Sequence, residues 1–132
     1  MKKILFICLT LIIVSCSKNE QNNSYLVLLP IDKAITPQNF TFGTTDTIAV
    51  KYSLPSGCHY YHSLYHQHQD NVRIIAIRAL ESLDVSCTQA LVQKEVKFPI
   101  EILQKEKYIF KFWKGKDNTG KDIFEERIVP VN

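Results

Sequence analysis

The histidines are the first residues of this chain whose type and spacing could do chemistry. All four lie in a stretch of eleven residues, Cys58–His68, which reads CHYYHSLYHQH. Neutral imidazole is a good ligand for zinc, copper and nickel. On a β-strand alternate side chains share a face, so His66 and His68 would lie about 7 Å apart and could hold one ion. His62 would share their face at a greater distance and His59 would lie on the opposite face. His66 and His68 are therefore the main candidates for metal ligands, and His62 is an outlying candidate.

The same stretch has other interpretations. On a helix His59, His62 and His66 would be neighbours, although the interleaved tyrosines favour a strand. The simplest interpretation is that the histidine and tyrosine rings cover a sheet face, each with an apolar body and a polar tip. Such a surface would respond to pH, because unperturbed imidazoles titrate near about pH 6.5. Because rings that cover a sheet face need no bound metal, we expect no resident cofactor.

A catalytic zinc site would need a third metal ligand, because such sites usually have three protein ligands. Asp70 and Asp84 are the candidates outside the histidine stretch. If Asp70 and Asn71 form a two-residue hairpin turn, Arg73 lies opposite His68 across the two strands. A fixed positive charge there opposes a bound metal ion.

Aromatic side chains give a second kind of candidate site. Tyr60, Tyr61, Tyr65 and Trp113 could form a stacking platform for a sugar ring or a peptide. Trp113 stands beside the polar segment that follows the aromatic run Tyr108–Trp113, so we expect it to be exposed. These four residues are our candidates for binding a small ligand.

Catalytic and nucleotide-binding motifs are weak or broken. Residues 115–122 read GKDNTGKD, which matches the start of a phosphate-binding loop, but Asp122 replaces the serine or threonine that binds magnesium. A strand rather than a helix is predicted after it, so we interpret it as a hairpin loop. No Gly-x-Ser-x-Gly turn occurs, and Glu125 and Glu126 point to opposite faces of one strand. We predict no catalytic residue, no nucleotide and no enzyme activity.

Alternating apolar residues predict the elements that must position these side chains. Ile48, Val50, Tyr52 and Leu54 share one face of a half-buried strand. Pro99 cannot donate to a sheet, so its strand belongs at an edge. Residues 81–91 are undecided between a short helix and a loop. The predicted strands are the histidine stretch and Tyr25–Leu29, Thr47–Leu54, Val72–Leu80, Val96–Ile102, Lys107–Trp113 and Asp122–Val131.

These strands predict an all-β fold. About seven short strands in residues 25–132, with turn residues between them, indicate one antiparallel β-sandwich domain. The arrangement resembles immunoglobulin-like and fibronectin-III-like modules, although the chain has one tryptophan, Trp113, and none beside the first cysteine of the domain.

The first residues of the chain predict a targeting segment. Lys2 and Lys3 precede an almost purely apolar run of eleven residues, 4–14, which is too short to span a bilayer and suits a secretory signal. The following Ile13-Val14-Ser15-Cys16 resembles the lipobox of bacterial lipoprotein precursors. That resemblance implies that residues 1–15 are a signal peptide and that Cys16 carries the lipid.

Lipidation of Cys16 would place the protein in the cell envelope. Residues 16–24 form a polar tether whose span is about 16 Å, and the residue after Cys16 favours the outer membrane, on either its periplasmic or its outer side. Loss of Lys2 and Lys3 with the signal lowers the net charge from +3 to about +1, which argues against nucleic-acid binding. The membrane, through the lipid, is the first expected partner.

The four cysteines then reduce to two. Cys8 leaves with the signal and Cys16 is acylated, so Cys58 and Cys87 remain in an oxidising compartment and we predict a disulfide between them. The domain also resembles small Bacteroidota-type lipoproteins at Gly57-Cys58-His59, Cys87-Thr88 and Tyr108–Asp117, a resemblance that implies location and fold but no chemistry. We therefore expect a non-catalytic protein-interaction or accessory module with an envelope protein as partner, or alternatively a binder of a metal or of a sugar or peptide.

Overall fold

The computed structural model describes residues 23–83 and 86–132. The predicted signal peptide, Cys16, most of the tether and Asp84 lie outside these residues. No helix in the described part is long and apolar enough to cross a membrane. The described chain forms eight strands, which are β1 Ser24–Leu29, β2 Ile31–Ile35, β3 Thr45–Leu54, β4 His59–Gln69, β5 Val72–Ser82, β6 Val92–Glu101, β7 Tyr108–Lys116 and β8 Asp122–Val129.

Five of the strands form the larger sheet, with β5 at its centre. The antiparallel strand β4 lies along one edge of β5. The other edge is shared, because β7 pairs in parallel with Val72–Ile75 and β1 pairs antiparallel with Ile77–Ser82. Strand β8 then pairs with β7 as an antiparallel hairpin. Since β1 and β7 meet end to end beside β5, the sheet has a junction near Ala76.

The smaller sheet has the order β2-β3-β6 and packs face to face on the larger one. Ile48, Val50 and Tyr52 of β3 are buried between the two sheets. The inward-facing aromatic residues of β7 lie opposite, and Phe40 packs edge-on against Tyr108 with ring centroids 5.3 Å apart. Burial of these large side chains is the main favourable term in the stability of the sandwich.

The predicted all-β sandwich is confirmed, as is the predicted disulfide between Cys58 and Cys87, whose Cα atoms are 5.3 Å apart. The strand count is eight because Ile31–Ile35 forms an additional strand, whose alternation is interrupted by an irregularity between Ile31 and Lys33. Among the eight described strands, the parallel pairing of β5 and β7 departs from an antiparallel sandwich.

Two local predictions about strand ends are also settled. Strand β6 pairs only with β3, with Pro99 opposite Thr47, so it is the predicted edge strand. Residues 81 and 82 complete β5, and the described residues 86–91 contain no helix. The described part of the connection from β5 to β6 is therefore a loop, which includes Cys87.

The segment that imitates a phosphate-binding loop connects β7 to β8. The Asp117 carboxylate accepts hydrogen bonds from the Thr119 hydroxyl at 2.6 Å and from the backbone N–H groups of Thr119 and Lys121. These bonds hold the pKa of Asp117 below its ordinary value. The N–H and hydroxyl groups of the loop thus donate to the loop's own carboxylate rather than to a ligand. Because a strand follows, the segment is the predicted hairpin loop.

Candidate functional site

A β-bulge in β4 decides which side chains of the histidine stretch share a face. Tyr61 is opposite Ala79 and Ser63 is opposite Arg78, so His62 is an extra residue between them. An extra residue reverses the alternation of side chains beyond it. His59 and Tyr61 before the bulge therefore face the smaller sheet, as Leu64, His66 and His68 do after it. Our prediction that His59 points to the opposite face from His66 and His68 is wrong for this reason.

His66 and His68 lie side by side, as their spacing predicts. Their ring centroids are 4.8 Å apart at a steep angle, and the His66 ring lies 6.0 Å from that of Phe98 in β6. His62 is separated from this pair by the bulge, and its Nδ1 is 2.9 Å from the Ser63 hydroxyl. The structure thus brings together two of the three candidate metal ligands.

Arg73 lies opposite His68, as the predicted two-residue turn at Asp70 and Asn71 requires. Its guanidinium is buried, donates to the Asp70 carbonyl at 2.7 Å and stacks 5.0 Å from the Tyr108 ring centroid. Burial first, and then the charges of His68 and Arg73, lower the pKa of His66.

The pKa of His68 is lowered by burial and then by Arg73. Within residues 23–83 and 86–132 no group of three histidine, cysteine, aspartate or glutamate side chains is placed to hold a metal ion. The environment of the pair therefore favours neutral imidazoles next to a fixed cation, which is a poor setting for a divalent metal.

His59 is held at the other end of β4. Its Nδ1 lies 2.8 Å from the Ser56 hydroxyl and its Nε2 lies 3.5 Å from a carboxylate oxygen of Glu81. The order serine, histidine, glutamate is that of a catalytic triad, but a histidine base needs a third group within about 2.6–3.2 Å. The Ser56 oxygen also accepts the backbone N–H of Cys58, so these contacts fix the turn that leads into β4.

A cleft of about 600 Å³ opens between the edges of the two sheets beside this turn. We call it the inter-sheet cleft. Tyr61 lies in it with its ring 6.1 Å from that of Tyr52. The lining side chains come from β3, β4, β6 and the turn before β4, namely Tyr52, Leu54, Ser56, Gly57, His59, Tyr60, Tyr61, Val92, Lys94, Glu95 and Val96.

A second cleft, of about 310 Å³, lies on the face of the larger sheet that points away from the smaller one. We call it the outer cleft. It occurs at the junction where β7 leaves β5 after Phe112 and β1 takes its place at Leu29. Its lining residues are Leu28, Tyr65, Gln67, Ile74, Ala76, Trp113, Lys116, Asp122 and Phe124.

The polar groups of the outer cleft hold its aromatic rings in place. The Trp113 indole N–H donates to Asp122 Oδ1 at 3.0 Å, and Lys116 Nζ donates to the same oxygen at 2.7 Å. These two hydrogen bonds lower the pKa of Asp122, with the bond from Lys116 as the larger cause. The Tyr65 hydroxyl donates to Gln67 Oε1 at 2.7 Å.

The four aromatic candidates therefore do not form one platform. Tyr65 and Trp113 meet in the outer cleft, Tyr61 belongs to the inter-sheet cleft, and Tyr60 projects from the edge strand with more than half of its surface exposed. Sequence reasoning missed Phe124, which stands opposite Trp113. The predicted hairpin of β7 and β8 carries the signal that could have found it, since facing residues of a hairpin share a side of the sheet.

The outer cleft lies within a wider apolar surface. Leu26, Leu28, Phe124 and Ile128 on this side of the larger sheet are 53%, 45%, 38% and 54% exposed. Arg78 lies among them, with its guanidinium 4.9 Å from the Tyr65 ring centroid. We call this side of the larger sheet the outer face.

Comparison with protein families agrees with this architecture. A family model described as the ORF11 beta-sandwich domain matches residues 48–123, which is more than half of the chain. The chain belongs to the ORF11 beta-sandwich domain family. No curated protein and no solved structure matches the chain.

The part that matches the ORF11 beta-sandwich domain includes β4–β7 and most of β3. Both sheets are therefore represented in the matched region, as are the histidine strand and the disulfide. Leu28 and Phe124, two residues of the outer cleft lining, lie outside it. Membership of the family thus accounts for the sandwich that carries both clefts.

Proposed function

We propose that this protein is a non-catalytic binding module that a lipid on Cys16 holds at the cell envelope, where its outer face binds another envelope protein. The observation that carries the proposal is a set of partly exposed apolar side chains on that face, Leu26, Leu28, Phe124 and Ile128, with the pair Lys111 and Glu126 between the last two. Soluble monomers rarely leave a contiguous apolar patch of more than a few hundred Å² uncovered. A partner surface is what such a face requires.

The composition of the outer face supports a protein as that partner. Interface centres are enriched in aromatic residues and arginine. Trp113, Phe124 and Arg78 occur there among leucine and isoleucine. The proposal includes no reaction, because Ser56 and His59 are engaged in the turn before β4.

The proposed anchor and the outer face are close in the chain. Strand β1 begins at Ser24 and carries Leu26 and Leu28, and the tether before it spans about 16 Å. A lipid on Cys16 would therefore keep the outer face near other proteins of the same membrane. We propose the outer membrane as that membrane.

Cross-linking in intact envelopes tests this proposal. A photo-reactive residue at Leu26 or Ile128 should give a cross-linked product with one protein. The matched control is Lys97, whose side chain is 68% exposed on the opposite sheet, and the same residue there should give none. Equal products from all three positions, or none from any, would contradict a specific outer-face interaction.

The anchor is tested in the same cells by labelling with an alkyne-bearing fatty acid. The natural chain should incorporate the label, and Cys16→Ser should abolish it. Cys58→Ala is the matched cysteine control and should leave the label in place. Label that persists in Cys16→Ser would contradict the proposed anchor while leaving the cross-linking result valid.

A further inference from the structure

The outer cleft has a structural cause that makes it a permanent feature. Two strands share one edge of β5, with β7 beside Val72–Ile75 and β1 beside Ile77–Ser82. Lys114 ties the departing end of β7 to β2 by donating to the carbonyls of Ile31 and Asp32 at 2.6 and 2.9 Å. The hollow between β1 and β7 is therefore built by strand pairing and by the hydrogen bonds of Lys114, so little free energy is needed to form it on binding.

Two aromatic rings that line this hollow, Trp113 and Tyr65, are fixed in orientation. Trp113 cannot rotate freely because its indole N–H donates to Asp122. Tyr65 is held by its hydroxyl bond to Gln67 and by the guanidinium of Arg78 over its ring. Rings held in this way present an apolar face at little further entropic cost.

The polar groups at the rim retain hydrogen-bonding capacity. Both bonds to Asp122 end on Oδ1, so Oδ2 is available as an acceptor. Gln67 accepts from Tyr65 through Oε1, so its NH₂ group is available as a donor. Lys116 and Asp122 form an ion pair, which leaves the rim without a net charge between them.

These features together select a class of ligand. A hexose ring in its pyranose form has an apolar C–H face and a rim of hydroxyl groups that both donate and accept. Strand addition by an extended peptide needs a free edge. Both edges of β5 are paired at this point, so a peptide would have to pair along the outer edge of a neighbouring strand such as β4, beside the cleft rather than over it. A phosphate-bearing ligand is disfavoured next to Lys116, whose charge Asp122 already neutralises.

We propose that the outer cleft binds a saccharide, with a pyranose ring stacked on Trp113 and its hydroxyls hydrogen-bonded to Asp122 and Gln67. This inference goes beyond the proposed function, because it depends neither on the lipid anchor nor on a protein partner. It assigns Tyr65 and Phe124 as the walls that limit which sugar ring fits.

The single tryptophan of the chain makes the test direct, because all tryptophan fluorescence comes from this cleft. The full-length protein, extracted in a detergent without a sugar headgroup, is titrated with glucose, galactose, mannose and N-acetylglucosamine and with disaccharides of each. At least one should give a saturable change in emission. Sorbitol, an acyclic polyol with the same hydroxyl chemistry, should give none.

Variants locate the binding. Asp122→Asn and Gln67→Ala should each weaken the best saccharide about tenfold, the usual effect of losing one hydrogen bond to a polar ligand. Tyr61→Ala, in the inter-sheet cleft, should leave the affinity unchanged. Because Asp122→Asn also alters the surroundings of Trp113, its affinity is measured by titration calorimetry, and circular dichroism verifies that each variant is folded.

Two results would overturn the saccharide site. One is the absence of a saturable response to every saccharide tested. The other is an affinity that Tyr61→Ala lowers and that Asp122→Asn and Gln67→Ala leave unchanged. Either result combined with a specific cross-link from Leu26 would reject the saccharide site and leave the proposed protein interaction in place.

Discussion

The inter-sheet cleft and the outer cleft differ in what their polar groups are doing. In the inter-sheet cleft, which is about 600 Å³, His59 is engaged on both ring nitrogens by Ser56 and Glu81. In the outer cleft, which is about 310 Å³, Asp122 and Gln67 each use one end of the side chain to position a ring. The larger cleft is thus a product of the fold, and the smaller one retains groups that can recognise a ligand.

The two clefts are also stabilised by different means. The wall of the inter-sheet cleft depends on a covalent and hydrogen-bonded link between distant segments, with the Gly57 N–H donating to the Thr88 carbonyl at 2.8 Å next to the disulfide. The outer cleft depends on strand pairing and on side-chain bonds near the sheet surface. Substitutions at the first site should therefore change stability, and substitutions at the second should change binding.

Removal of the disulfide should give the largest effect. The double variant Cys58→Ala/Cys87→Ala frees a loop whose ends are 29 residues apart, which should lower the free energy of unfolding by about 3–4 kcal/mol in the chain-entropy treatment. Urea denaturation of the oxidised protein and of the variant measures the difference. Trp113 emission in the folded variant should equal that of the natural chain, because the disulfide borders only the inter-sheet cleft.

The result can contradict the comparison in two ways. A loss below about 1 kcal/mol would mean that the unfolded chain is already restricted between these segments. A shifted Trp113 emission in the folded variant would mean that the two clefts are coupled through the larger sheet. The natural chain with its disulfide chemically reduced serves as a second control, because its sequence is unchanged.

Substitution of Gly57 should give an intermediate effect at the same cleft. A Cβ added at Gly57 would lie 2.6 Å from the Thr88 hydroxyl oxygen, so Gly57→Ala should lower the free energy of unfolding by about 1–2 kcal/mol. Gln67→Ala in the outer cleft is the contrasting variant and should change it by less than about 0.5 kcal/mol. Urea denaturation of both variants gives the comparison.

A double-mutant cycle identifies the cause of the Gly57 effect. Thr88→Ala removes the clashing oxygen, so Gly57→Ala should cost at least about 0.5 kcal/mol less in that background. Equal costs in both backgrounds would place the effect in the backbone, against the contact with Thr88. A Gln67→Ala variant as destabilised as Gly57→Ala would remove the distinction between the two clefts.

The alternation of apolar residues was sufficient to predict most strands, and the count of cysteines left after the signal peptide was sufficient to predict the disulfide. Ile48, Val50, Tyr52 and Leu54 have the period that β3 requires and are all buried. The turn at Asp70 and Asn71, and with it the position of Arg73, also followed from local chemistry. These features are local in sequence, or depend on the two cysteines that remain once Cys8 and Cys16 are set aside.

The faces of β4 could not be predicted in the same way. A bulge needs only one extra residue, and His62 resembles its neighbours in type, so nothing in the sequence distinguishes it. That residue moves His59 and Tyr61 to the side that faces the smaller sheet. The pairing of β5 with both β1 and β7 is likewise set by tertiary packing, and the outer cleft that results from it is invisible in the sequence.

The pH dependence of stability should give the smallest effect, and it tests the part of β4 that belongs to neither cleft. The pKa values of His66 and His68 are lowered from 6.5 in the folded protein, so the unfolded chain binds more protons than the folded one in the range below about pH 6.5. The free energy of unfolding should therefore fall as the pH drops through 6.5, and the loss should be complete below the folded pKa values. Because both residues are exposed, we expect the change in the free energy of unfolding to be small.

Urea denaturation at several pH values between about 7.5 and 5 measures this loss in the natural chain and in His66→Gln/His68→Gln. The double variant should show a weaker pH dependence, because it lacks the two groups whose protonation favours the unfolded chain. His62→Gln is the control for loss of a histidine on the same strand. A natural chain that becomes more stable as the pH falls through this range would mean that the two rings gain an acidic partner on protonation, and it would contradict the dominance of burial and Arg73 at this end of β4.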